Sequence, residues 1–135
     1  MGYSIIKIEG IGPTYAAKLQ AAGIRSTDGF LKLCADKKGR RAVAETSGVS
    51  EAHLLKWANM ADLMRIQGIG PQFSELLEAA GVDTVKELRK RKADNLAQKM
   101  AEVQDAKRLT RVSPSEAQVK AWIDEAKSLT PMISH

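Results

Sequence analysis

Two short strings in the chain carry the clearest chemical signal, Gly10-Ile11-Gly12-Pro13 and Gly68-Ile69-Gly70-Pro71. Glycine tolerates positive φ and close backbone approach, so each string can form a tight turn that aims free N–H groups outward. Proline suits the first position of a helix, and a helix N-terminus with exposed amides is a competent partner for a phosphate oxygen. Ile11 and Ile69 are expected to anchor the turns inward. Thr14 and Gln72, just after the prolines, can each donate a neutral hydrogen bond to phosphate. Lys18 adds a charge in the first string, where the second has Leu76, and Glu75 and Glu78 on that second helix repel phosphate if they face it. The same turns also read as plain interhelical connections that bind nothing.

Basic charge is clustered. The chain carries 21 Lys and Arg against 16 Asp and Glu, a net charge of +5, which permits a polyanionic partner without demanding one. Lys37, Lys38, Arg40 and Arg41 surround Gly39 and can form a second phosphate-binding turn at the start of a helix, or simply a solvated helix face. Arg89, Lys90, Arg91 and Lys92 occupy an expected helix end, where cations also complement the helix dipole, and Lys107, Arg108 and Arg111 fall in an expected loop.

Catalytic chemistry finds little support. There is no Gly-x-x-x-x-Gly-Lys-Ser/Thr loop, no nucleophile elbow, and no motif pairing His or Cys with a base. Cys34 is the single cysteine, and His53 and His135 are far apart, so zinc, haem and iron–sulfur sites are disfavoured and no cofactor is expected. No apolar run reaches the roughly 18 residues of a membrane span, and the first residues lack a basic leader region, so a cytoplasmic protein with no small-molecule substrate is the expectation.

The elements that must hold the turns are repeated. IEGIGPTYAAKLQAAGI from Ile8 recurs as IQGIGPQFSELLEAAGV from Ile66, and farther on Ser50, Glu51 and Trp57 match Ser115, Glu116 and Trp122 with about seven extra residues between 102 and 113. With 44% hydrophobic residues and no strand alternation, the chain is expected to be all-α, two tandem repeats of about four helices packed as one compact body. The repeats are placed at 1–64 and 65–129, with a frayed tail over 130–135. Caps and spacing predict helices near 13–22, 26–33, 36–46 and 50–64, then 71–80, 84–91, 94–104 and 114–128. Ser26, Asp36 and Ser50 are the expected caps of the first copy, and Ser113, Pro114 and Glu116 are expected to open the last helix as a capping box. Trp57 and Trp122 are expected in equivalent core or seam positions.

The strings GIGPTYAAKLQAAGI and GIGPQFSELLEAAGV resemble the helix-hairpin-helix motif, in which two short helices joined by a glycine hairpin contact nucleic-acid backbone without reading sequence. The wider layout resembles a family of small bacterial proteins grouped as a domain of unknown function. The resemblance places the hairpin contacts on Gly10, Ile11 and Gly12 and on Gly68, Ile69 and Gly70. It implies a noncatalytic, sequence-nonspecific DNA-binding module; the alternative is a protein-interaction or self-association scaffold in which the hairpins are structural only.

Overall fold

The computed structural model describes residues 2–135, so Met1, the first position of the expected unit 1–64, lies outside the described residues. A short 3₁₀ turn, Ile5–Lys7, precedes eight helices: α1 Pro13–Ala21, α2 Thr27–Cys34, α3 Lys37–Ser47, α4 Glu51–Leu63, α5 Pro71–Ala79, α6 Val85–Leu88, α7 Ala93–Lys107 and α8 Glu116–Ser128. The fold is all-α and compact, and its one β-type feature among the described residues is an isolated bridge between Ser4 and Ser26.

Local chemistry sets most boundaries. The side chains of Ser26, Asp36, Ser50 and Thr84 accept from the backbone N–H three residues on and so cap α2, α3, α4 and α6. The capping box of α8 is Ser115 with Gln118, two residues later than the expected Ser113 start, because the Gln118 side chain reaches back to the Ser115 N–H and Glu116 does not. Helix α6 stops at Leu88 instead of 91, since the N–H groups of Lys90 and Arg91 donate to the Glu87 and Leu88 carbonyls, three residues back, in a turn tighter than α; Arg91 Nη2 then donates to the Gly81 carbonyl. Its successor α7 runs to Lys107, so part of the extra length expected as loop is helix. The Gln104 side chain pairs with both the N–H and the carbonyl of Thr110, which fastens the loop that follows.

Two cores lie in succession. Ile5, Leu19, Ile24, Phe30, Leu54 and Trp57 belong to the first; Ile66, Leu76, Leu77, Val85, Met100 and Trp122 belong to the second. Helix α4 joins them. From Trp57 to Met64 every residue is buried, as for a helix enclosed on all sides, and Leu63 belongs to the second core while Met60 and Met64 belong to the first. Asp62, 1% exposed, accepts from the Val85 N–H through Oδ2 at 2.8 Å and from Arg65 Nη1 through Oδ1 at 2.8 Å. The free side of that guanidinium donates to the Thr130 carbonyl.

The tail expected to fray is docked. Ser134 N–H donates to the Ala35 carbonyl, the Ser134 carbonyl accepts from Arg40 Nη2 at 2.6 Å, and Ile133 packs on the first core. Six residues without secondary structure are thus held by side-chain and backbone bonds that local sequence does not reveal.

Candidate nucleic-acid interface

Both glycine turns adopt the same backbone. Gly10 and Gly68 have φ of +97° and +91°, in the region that favours glycine, and the N–H groups of Ile11 and Ile69 each donate to the carbonyl three residues back at 3.1 Å. Ile11 and Ile69 are buried as expected. Each turn is backed by its tryptophan: a Cβ built on Gly10 falls 3.2 Å from Trp57 Nε1, and one built on Gly68 falls 3.1 Å from Trp122 Nε1.

The helices that leave these turns begin without side-chain caps. Gly12 and Gly70 are the N-cap residues of α1 and α5, both extended, and neither helix end receives a side-chain hydrogen bond. Gly12, Thr14 and Gln72 are exposed and Gly70 is half-buried. Lys18 is exposed one turn along α1, with Nζ 5.8 Å from the centre of the Tyr15 ring, which packs edge-on against Trp57.

The two turns adjoin. A groove of about 420 Å³ has Gly70, Pro71, Gln72 and Phe73 on one side and Ile6, Lys7 and Glu9 on the other. Glu9 also lines a smaller cavity of about 110 Å³ with Gly10, Lys56, Glu75 and Glu78. The first turn and the second helix start therefore flank one junction whose charge is mixed. Lys7 and Glu9 belong to no motif of the sequence; Glu9 stands directly before Gly10, where the second turn has neutral Gln67 before Gly68.

The block around Gly39 is different. Arg40 is 3% exposed, and its guanidinium donates to the carbonyls of Cys34, Ala35 and Ser134. Its expected role as a phosphate contact is corrected: it is a core fastener whose donors are committed to three carbonyls. The expected phosphate-binding turn fails with it. The Asp36 carboxylate occupies the α3 N-terminus, accepting from Gly39 N–H at 2.7 Å, and a Cβ on Gly39 would fall 2.1 Å from the Leu33 carbonyl oxygen, so this glycine serves close packing. Lys37, Lys38 and Arg41 stay exposed. Lys37 lines a cavity with Leu55 and His135, and Leu55 lies two residues from Trp57 on α4, which puts it on the other side of that helix from the first turn. The structure does not bring this block to the glycine turns.

Farther along, Arg91, Lys92, Lys120 and Lys127 line a cleft of about 390 Å³ together with Asp94 and Asp124. Two of its cations are paired, Arg91 with Glu87 and Lys120 with Asp124. Among the described residues no group of three or more His, Cys, Asp or Glu is arranged to hold a metal, and no helix is long and apolar enough to cross a membrane.

The family model described as "Domain of unknown function (DUF4332)" matches residues 9–129. The chain belongs to this family. The match begins at Glu9, beside the first glycine turn, and ends at Leu129, so both turns, both tryptophans and the α4 strut fall within the DUF4332 domain. No curated protein and no solved structure matches the chain.

Proposed function

We propose that this DUF4332 chain is a noncatalytic, cytoplasmic module that grips DNA backbone without reading sequence, with residues 1–64 and 65–129 as two helix-hairpin-helix copies. The observation that carries this reading is the contrast in helix starts. Five helices are capped by their own side chains, and α7, which has no such cap, carries Asp94 in its first turn, where the carboxylate accepts from Asn95 N–H; α1 and α5, the two that follow glycine turns, have neither a cap nor an acid in the first turn. Open amides at a helix N-terminus bind phosphate oxygens, and Thr14 and Gln72 stand ready to add a neutral hydrogen bond each. Lys18 and Lys7 supply the charge, because Arg40 is committed elsewhere.

The test is fluorescence anisotropy with labelled single-stranded, duplex and branched DNA at about 50 and 200 mM salt. Two neutralised phosphates give a log–log salt slope near −2, which falls by about 1 in Lys18→Gln. Binding that is unaltered in Lys18→Glu and in Gln72→Glu overturns the reading. A second reading, protein interaction with structural hairpins, is favoured by the carboxylates of Glu9, Glu75 and Glu78 at the same junction; feeble DNA binding indifferent to these changes selects it.

A further inference from the structure

On a chain of net charge +5, the seam between α4 and α5 is acidic. Two adjoining cavities share Lys56 and Glu78, and together they display Glu9, Glu75, Glu78 and Asp83 against that one lysine. The larger, about 360 Å³, is walled by Ala52, Leu55, Lys56 and Asn59 of α4, with Glu78 and Asp83 facing them. Asn59 is 8% exposed, and its Oδ1 is the one buried side-chain acceptor without a hydrogen-bond partner among the described residues. Such a group is costly to leave unpaired, and it is found here on the wall of an acidic cleft.

We propose that this cleft receives the guanidinium of an arginine side chain presented by a partner protein. Glu78 and Asp83 offer carboxylate acceptors across the cleft from α4, and a planar fork of five N–H donors can serve several acceptors at once, where an ammonium is a point charge. A half-turn of the Asn59 carboxamide exchanges its oxygen and nitrogen, so the unpaired acceptor can turn to the ligand. Ala52 and Leu55 give the methylene stem an apolar wall. The existing partners are weak competitors: Lys56 Nζ is 3.9 Å from Glu78 and His135 Nε2 is 3.8 Å from Asp83, all with exposed or half-exposed side chains. Nucleic acid is repelled by this seam. The inference goes beyond DNA binding and uses carboxylate acceptors where that reading uses amide donors and lysines, so either can fail alone.

The experiment titrates the ¹⁵N-labelled full chain with N-acetyl-arginine amide, its neutral citrulline analogue and the lysine amide, following resonance shifts. The expected result is saturable shifts of the Asn59 side-chain NH₂ and the Leu55 and Asp83 amides with arginine amide, absent with citrulline and at least fivefold weaker with lysine. Glu78→Gln and Asp83→Asn, each with a wild-type circular-dichroism spectrum, are expected to weaken arginine binding at least fivefold. Shifts that are absent, equal with citrulline or lysine, or unchanged in both variants overturn the proposal. So does sedimentation showing that the chain alone forms a dimer that covers the cleft, which would assign it to a second copy.

Discussion

Trp57 Nε1 stands 3.2 Å from where a Cβ on Gly10 would sit, and Trp122 Nε1 stands 3.1 Å from the same point on Gly68. An indole edge thus fills the space behind each glycine turn, and the glycine's positive φ excludes a side chain on conformational grounds as well. Gly10→Ala and Gly68→Ala are each expected to lower the unfolding free energy by about 1–3 kcal/mol. Urea unfolding followed by circular dichroism checks it. A loss under about 0.3 kcal/mol in both would show that the turns relax freely around the tryptophans.

Arg40 and Arg41 are neighbours with opposite fates. Arg40→Met strands the carbonyls of Cys34, Ala35 and Ser134, and is expected to cost about 2–4 kcal/mol because hydrogen bonds to a charged group are the stronger kind. Exposed Arg41 has no such role, and Arg41→Met is expected to stay within about 0.5 kcal/mol of wild type. Hydrogen exchange gives a second readout: the Ser134 amide, bonded to the Ala35 carbonyl, loses protection in Arg40→Met and keeps it in Arg41→Met.

That pair shows where sequence reading stops. Helix periodicity, the glycine turns and the caps Ser26, Asp36 and Ser50 are local properties, and each reappears in the fold near its expected place. Arg40 sits in a run of four cations, and nothing in the run separates the one that meets a C-terminal carbonyl from its neighbours. The docked tail has the same origin, since Arg40 acts on a carbonyl 94 residues away. The adjoining of the two turns depends on how the halves pack about α4, which no periodicity encodes.

Asp62 links the halves through Val85 N–H and Arg65. Asp62→Ala removes both bonds and leaves a nearly buried guanidinium without its carboxylate, so a loss of about 3 kcal/mol is expected. Arg65→Met relieves that stranded charge, so Asp62→Ala/Arg65→Met is expected to lose less than the two single changes added together. Strict additivity in a double-mutant cycle would mean the pair does not couple.

Burial raises the Glu78 pKa above its ordinary value, against the smaller opposing effect of Lys56. Between 4.5 and the raised value the folded state holds more protons than the unfolded one, so this group makes stability fall as pH rises through that window. The penalty is complete above the raised pKa and gone below 4.5. Glu78→Gln is therefore expected to raise Tm at pH 7 and leave it unchanged at pH 4. Thermal scans at the two pH values decide, and a gain of equal size at both would trace the effect to packing.

Cys34 is fully buried, and desolvation pushes its thiol up to about 12 from 9.0, although the Arg40 charge pulls it the other way. Three pH units reduce the thiolate fraction at pH 8 about a thousandfold, and thiolate is the reactive form. Alkylation by iodoacetamide is expected to be orders of magnitude slower than for a free thiol in the native chain and to run at the ordinary rate in urea. Because Arg40 also closes the tail over Ala35, next to Cys34, Arg40→Met is expected to speed native-state labelling, whereas Arg41→Met is not. Rapid labelling of the wild type would mean that the core opens around Cys34 far more often than the tail contacts allow.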